Sequence, residues 1–348
     1  MTTSQIPPTT TNAGHPGFRL ILPYLRPIEA LLLDPEVSEI MINSPNDIFI
    51  EKYGLLKRIS GITLSAGQLR VAVQNIARSL GDDISEEKPI LDSRLPDGSR
   101  IAAVLPPCSL HGITLTIRKF NTRSFTIQDL IRAGALSEEM AVFLCEAILN
   151  RRNILISGGT GTGKTTLLNI LADFIPEEDR LLVIEDTAEI HIRKPNLVRF
   201  EARRPQGPKI PAVTIRDLLK ASLRHRPDRT ILGEIRGEEA FDLLQALNTG
   251  HSGSLSTIHA NSGREALSRL ASCVLQSGIE LPYKAIKAAI ADSIHVLVHV
   301  ERRHGIRSVQ EILALQGYSP ANDAYQYESV FSSSPTYNPK SEEEEPLI

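Results

Sequence analysis

One segment of the chain has residue types and spacing that suit phosphate binding. It matches the pattern G-x-x-x-x-G-K-[ST] in full, in which glycines leave backbone N–H groups open to an anion. A strand-like apolar run at 153–157 precedes it and a helix-like run at 166–171 follows it, and a helix N-terminus favours negative charge. The setting predicts a nucleotide-binding loop. Its residues are Gly158, Gly159, Thr160, Gly161, Thr162, Gly163, Lys164 and Thr165.

The end of this loop contains the side chains with the clearest expected roles. Lys164 is expected to reach the β- and γ-phosphates, and the Thr165 hydroxyl to ligate Mg²⁺. Thr166, the first residue after the loop, completes the expected binding set. A glycine-rich turn without function is the alternative, but the strand before it and the helix after it argue against that interpretation. We therefore predict ATP and Mg²⁺ as ligands.

Acidic residues follow two later apolar segments. Glu185 follows 181–184, and Glu234 follows 230–233. A single acid after a strand is commonly a turn residue or a helix cap, but nucleotide hydrolysis needs carboxylates at strand ends to hold Mg²⁺ and orient water. Two such acids in order after the loop favour the catalytic interpretation. We predict that Glu185 or Glu234 orients the water and that the other supports Mg²⁺; the residues alone do not assign the two roles.

A small-residue, hydroxyl-rich segment at 250–262 contains His251 and His259. Single histidines are commonly structural, but a segment of this composition is also suited to line a polar cleft. No ligand partners stand beside these histidines in the sequence, so we do not expect them to bind a metal.

The elements around these residues indicate two domains of α/β character. A chain of 348 residues is long for one domain. Residues 18–119 combine short strands, including a hairpin predicted around Tyr53-Gly54, with a helix that Ser65 is expected to cap. One face of that helix is predicted to be apolar, with Leu69, Val73, Ile76, Ala77 and Leu80. This combination predicts a smaller N-terminal α+β domain. A linker is expected at 120–136. Residues 137–316 alternate helices with short apolar strands, which predicts a doubly wound parallel sheet.

The two ends of the chain and its overall composition limit the possible functions. Residues 1–17 and the acidic segment 317–348 are expected to be disordered tails. The net charge of −3 gives no general basic signal for nucleic acid. The three cysteines form no CxxC pair, and neither a signal peptide nor an apolar run long enough to span a bilayer stands out. We therefore expect a cytoplasmic protein, or one held at a membrane by partners.

Five ordered motifs together resemble the secretion-ATPase superfamily of type II and type IV systems. The resemblance covers about residues 20–315. The chain looks most like the conjugal-transfer (TrbB-like) branch, because it is short and has no tetracysteine metal module. Tad/Flp and type IV pilus motor ATPases are the alternative within the superfamily. The motifs are the Walker A loop, the Asp box at 184–189, Arg226-Pro227-Asp228-Arg229, a Walker B motif with Glu in place of Asp at 233–237, and the histidine box at 250–262.

The resemblance implies a RecA-like P-loop domain, with ATP hydrolysed in a cleft between the two domains of a homo-hexamer. It implies that His259 senses the γ-phosphate, and that Arg100 and Arg118 of the N-terminal domain reach the nucleotide. It also implies a peripheral position on the inner membrane, through components of a secretion or pilus apparatus. Direct nucleic-acid binding is not expected.

Two other classes of function stay open at this point. A nucleic-acid motor would use a similar core, and the cluster of Arg224, Arg226 and Arg229 could be offered in its support. A non-hydrolysing assembly scaffold is the other. The sequence does not identify what the motor moves, whether DNA, an exported protein or pilin.

Overall fold

A computed structural model of the chain describes residues 20–52, 55–120, 125–203, 205, 211–250, 252–303 and 306–332. The chain divides into two compact units, residues 1–123 and 124–348. None of the helices in the described ranges has both the length and the apolar content needed to cross a membrane.

The described residues of the first unit form a six-stranded antiparallel sheet with the strand order β3-β2-β1-β6-β5-β4. The predicted hairpin is confirmed as β2 and β3, whereas its turn, Tyr53-Gly54, lies outside the described residues. The elements are α1 (Glu29–Leu33), β1 (Val37–Ser44), β2 (Asp47–Lys52), β3 (Leu55–Ile59), α2 (Ala66–Ser79), β4 (Ile90–Arg94), β5 (Arg100–Val104) and β6 (Thr114–Arg118).

Helix α2 begins where the sequence predicts. The Ser65 hydroxyl accepts a hydrogen bond from the Gln68 N–H, and the Gln68 side chain accepts one from the Ser65 N–H. This reciprocal capping box satisfies two N–H groups that a helix start leaves unpaired. Leu69, Val73 and Ile76 on one face of the helix are buried in the core of the unit, which confirms the predicted apolar face.

The second unit contains an eight-stranded sheet in its described residues, with the order β14-β13-β12-β7-β11-β10-β8-β9. The strands from β12 to β9 are parallel, and β13 and β14 add an antiparallel ribbon at one edge. The elements are α3 (Ile127–Arg132), α4 (Glu138–Leu149), β7 (Ile154–Gly158), α5 (Lys164–Ala172), β8 (Leu181–Glu185), β9 (Leu197–Glu201), α6 (Ile215–Ser222), β10 (Arg229–Ile235), α7 (Glu239–Asn248), β11 (Leu255–His259), α8 (Gly263–Leu275), α9 (Tyr283–Ser293), β12 (Val296–Arg303), β13 (Ile306–Ser319) and β14 (Ala324–Ser332).

The predicted linker and C-terminal tail need correction. Part of 120–136 is helix α3, and Ile127 and Leu136 are buried in the core of the second unit. Residues 317–332 are not a tail, because they complete β13 and form β14. Their polar composition concealed the hairpin, in which aromatic side chains such as Phe331 pack against the core. The predictions for 1–17 and for 333–348 lie outside the described residues.

A buried cation joins the elements at the amino ends of the parallel strands. The Arg229 side chain is 1% exposed. Its Nε donates to Asp179 Oδ2 at 2.6 Å and its Nη1 donates to the Ile148 carbonyl at 2.8 Å. Arg151 contacts the other oxygen of Asp179 at 3.3 Å. Arg229 is therefore a structural residue, which removes it from the arginine cluster considered for nucleic-acid binding.

Replacing Arg229 with Met should destabilise the second unit by about 3 kcal/mol, because it leaves a largely buried carboxylate without its main partner. Urea denaturation followed by circular dichroism measures this loss. The control is Arg132→Ala, since Arg132 is 75% exposed in its ion pair with Asp129 and exposed pairs contribute at most about 1 kcal/mol. Equal, small losses for both variants would contradict a structural role for Arg229.

Candidate functional site

The predicted phosphate-binding loop connects β7 to α5 in the second unit. Gly158 ends β7, and a Cβ at this position would lie 2.3 Å from the Val300 carbonyl oxygen. Gly161 and Gly163 have φ values of +70° and +97°, which glycine adopts without the penalty that other residues incur. Lys164 and Thr166 lie in the first turn of α5. The loop therefore has glycine where the backbone requires it, and it ends at a helix N-terminus.

Lys164 points back over this loop. Its side chain is largely buried, and Nζ donates to the carbonyl oxygens of Gly158 at 3.0 Å and Gly159 at 2.7 Å. Burial lowers the pKa of Lys164, and the nearby carboxylate of Glu234 opposes that shift. The ammonium group thus lies at the mouth of the loop, held by weak acceptors that phosphate oxygens can replace.

His259 ends β11, the strand beside β7, and its register partner is Gly158. Its Nδ1 lies 3.4 Å from Lys164 Nζ, and its Nε2 lies 2.9 Å from Glu234 Oε1. Burial lowers the pKa of His259 and the Lys164 charge lowers it further, whereas Glu234 opposes both. An ammonium group only donates, so the neutral imidazole accepts at Nδ1 and bears its proton at Nε2, toward the carboxylate.

The two oxygens of Glu234 have different surroundings. Oε2 accepts from Arg236 Nε at 2.9 Å and Nη2 at 2.7 Å. Oε1 is buried and, although it lies 2.9 Å from His259 Nε2, it accepts no well-aligned hydrogen bond from the described residues. An unsatisfied buried carboxylate oxygen is costly. It is also the kind of donor that Mg²⁺ prefers, so Glu234 fits the predicted metal.

Glu185 ends β8 and is buried, but its carboxylate serves the next turn of the chain. Oε1 accepts the N–H groups of Glu189 at 2.7 Å and Ile190 at 2.8 Å, and Oε2 lies 3.3 Å from Arg199 Nη2. Burial raises the pKa of Glu185, and these partners oppose the shift. Its Cγ would lie 3.0 Å from a Cβ at Gly233, which accounts for the glycine before Glu234. Strands β11 and β10 lie between β7 and β8. The strand that Glu185 ends is therefore roughly 14 Å from the strand that leads into the loop, at the usual strand spacing.

Arg236 connects the two acidic segments. Besides Glu234, whose hydrogen bonds are the main cause of its raised pKa, Arg236 donates to Asp186 Oδ2 at 3.0 Å through Nη1. The charges of Asp186 and Glu189 raise that pKa further. The carboxyl of Glu239 accepts from the Arg236 backbone N–H at 2.6 Å. The ends of β8 and β10 are therefore tied together by one guanidinium group.

A further residue at the loop was not predicted from the sequence. Arg307, at the start of β13, donates from Nε to the Gly161 carbonyl at 2.8 Å. The two residues are 146 positions apart and belong to no common motif, so no local pattern pointed to the contact.

The predicted arginines of the first unit lie side by side in its sheet. Arg118 on β6 pairs in register with Arg100 on β5, which pairs in turn with Arg94 on β4. Arg100 lies 3.8 Å from Asp92. Within the second unit, the structure brings Lys164, His259 and Glu234 together. The Glu185 carboxylate instead accepts backbone N–H groups of the turn that follows it. The roles predicted for Arg100 and Arg118 stay predictions.

Comparisons with known proteins identify relatives over most of the chain. The family model described as "Type II/IV secretion system protein" matches residues 24–315. The conjugal transfer protein TrbB of Rhizobium radiobacter is 36% identical over 299 residues, which cover 85% of this chain and 88% of that protein. The type IV secretion system protein VirB11 of Brucella suis is 34% identical over 307 residues, covering 80% of this chain and 84% of that protein.

Among solved structures, the ATPase DotB of Legionella pneumophila has a TM-score of 0.61 at 22% identity, covering 87% of this chain and 83% of that one. At this identity the likeness concerns the fold alone. The family model and the sequence relatives assign the family, and their matches span both units. The chain belongs to the type II/IV secretion system family, as a P-loop ATPase of its type IV branch.

Proposed function

We propose that the chain hydrolyses ATP at the loop formed by Gly158–Thr165 and couples that reaction to type IV secretion, with conjugal transfer as the best-supported process. The observation that carries the proposal is the contact series from Lys164 through His259 to Glu234 beside a complete phosphate-binding loop. It places a phosphate-binding cation near a half-buried carboxylate, and nucleotide hydrolysis uses groups of both kinds.

In this proposal Lys164 exchanges the Gly158 and Gly159 carbonyls for phosphate oxygens and offsets their charge. The neutral His259, with its proton on Nε2, reports the state of the γ-phosphate to Glu234. Thr165 and Glu234 would hold Mg²⁺, which when bound offsets charge on the phosphate oxygens.

The acidic residues have separate tasks in this proposal. Glu234 faces Lys164 and has a buried oxygen without a hydrogen bond from the described residues. Glu185 holds the N–H groups of the following turn, so we assign it to positioning. Glu189, which lies in that turn and interacts with the Arg236 charge, becomes the candidate for the second carboxylate at the water.

We further propose that the chain works as a homo-hexamer on the cytoplasmic side of the inner membrane. Components of the secretion apparatus would hold it there, and Arg100 and Arg118 would reach a nucleotide in the ring. The names of the relatives, a conjugal transfer protein TrbB and a type IV secretion system protein VirB11, support the link to a secretion apparatus. The alternative, a motor that acts on nucleic acid directly, loses support because Arg229 is buried in an ion pair.

Replacing Lys164 with Ala should lower kcat/KM for ATP by at least about 100-fold, because the main cation at the phosphates is lost. Phosphate release from the purified chain measures this, and circular dichroism shows whether the fold is retained. The control is Lys220→Ala, which removes a 54% exposed lysine on α6 of the same unit. A folded Lys164→Ala variant with normal turnover would refute the proposed site.

The roles assigned to the three glutamates predict which substitutions lower kcat most. Glu234→Gln and Glu189→Gln should each lower kcat by about 100-fold or more, as expected for groups acting at the metal or the attacking water. Glu185→Gln keeps an oxygen that can accept the two backbone N–H groups, so its kcat should fall less than about 10-fold. Steady-state kinetics on the three variants tests this order. Loss of activity in Glu185→Gln with normal activity in Glu189→Gln would reverse the assignment.

A further inference from the structure

We propose that Arg307 is a positioning residue of the phosphate-binding loop, and that it strengthens nucleotide binding by holding the Gly161 carbonyl outward. The inference rests on the proposed ATP site and adds a residue from the C-terminal part of the second unit.

The register of the sheet explains why this arginine reaches the loop. Strand β12 lies parallel to β7, and Val300 is the partner of Gly158, the last residue of β7. Beyond that pair the chain leaves β7 as the phosphate-binding loop, whereas β12 continues to Arg303 and pairs with β13. Arg302 and Arg307 face each other two positions past Val300. The paired residues Arg302 and Arg307 therefore lie near the loop.

The contact acts on the part of the loop with the greatest backbone freedom. Arg307 Nε donates to the Gly161 carbonyl at 2.8 Å, and its Cδ lies 3.6 Å from the position of a Cβ at Gly163. The peptide group is planar and trans, so its C=O and N–H point in opposite directions. Holding the Gly161 carbonyl toward Arg307 therefore directs the Thr162 N–H to the opposite side, where the loop binds phosphate.

A second contact holds the loop from within. The Thr162 hydroxyl donates to the Gly159 carbonyl at 3.0 Å, so the turn is held at Gly159 from inside and at Gly161 from outside. Glycine loses more conformational freedom on ordering than other residues. A loop ordered in advance loses less entropy when the ligand binds, which raises affinity without a new ligand contact.

The test compares Arg307→Ala with a matched variant, Arg303→Ala. Arg303 lies on the same hairpin with the same charge, but its Nε donates to Glu301 Oε2 at 2.6 Å instead of to the loop. Binding of fluorescent ADP and ATP analogues, steady-state ATP hydrolysis and thermal melting are measured on the full-length chain. Arg307→Lys, which keeps the charge, is the second variant if the alanine variant is poorly folded.

Arg307→Ala should weaken ADP and ATP binding by a similar factor of about 10, because loss of a charge-assisted hydrogen bond of ordinary strength has that effect. The backbone N–H groups of such a loop bind the α- and β-phosphates that both nucleotides share. KM for ATP should rise by a similar factor, with kcat and the melting temperature little changed. Arg307→Lys should show a smaller loss, and Arg303→Ala should behave as the wild type.

Three results would overturn the inference. Wild-type affinity in Arg307→Ala would show that the contact does not matter. A loss for ATP alone would indicate a direct γ-phosphate contact, and an equal loss in Arg303→Ala would indicate a general effect of hairpin charge. Lys164→Ala separates this inference from the proposed function: if it abolishes binding and Arg307→Ala does not weaken it, only the inference fails. If the wild-type chain binds no ATP, both fail.

Discussion

The position of β7 between two parallel strands that flank its last residue is the constraint on which the site depends. Gly158 pairs with His259 on one side and with Val300 on the other. The chain has to leave the sheet at that point through a space too small for a Cβ, since the Val300 carbonyl would lie 2.3 Å from it. The same register places the His259 side chain beside Lys164 and brings the β12–β13 hairpin alongside the loop.

The buried charge of Lys164 determines the chemistry of its neighbours. A cation removed from water is stable only when acceptors or an opposite charge compensate it, and here two loop carbonyls, His259 and the more distant Glu234 do so. The same arrangement favours the neutral form of His259, because burial and then the nearby ammonium group lower its pKa. The charged and polar groups of the site therefore form one series from the loop to Glu234.

The sequence predicted those parts of the site that depend on residues close together in the chain. The loop at Gly158–Thr165 and the positions of Glu185, Glu234 and His259 at strand ends follow from apolar runs and the residues after them, and each strand is present. The engagement of Glu185 could not be predicted, because it depends on how the following turn folds back onto the carboxylate. The contact of Arg307 with the loop depends on strand pairing between distant segments. The polar, tyrosine-containing sequence of β14 concealed its strand character for a similar reason, since packing and not composition makes it a strand.

One side chain, that of Arg236, connects the acidic residues at the ends of β8 and β10. Arg236 contacts the carboxylates of Glu234 and Asp186 at once, and Glu185 holds the turn that follows Asp186. A displacement of Glu234 toward a bound metal would have to change the partners of Arg236, and through them the position of that turn. Since a guanidinium group has a rigid planar set of donors, it cannot keep both carboxylates in place while one of them moves. Arg236 therefore couples the positions of the acidic residues at the ends of β8 and β10.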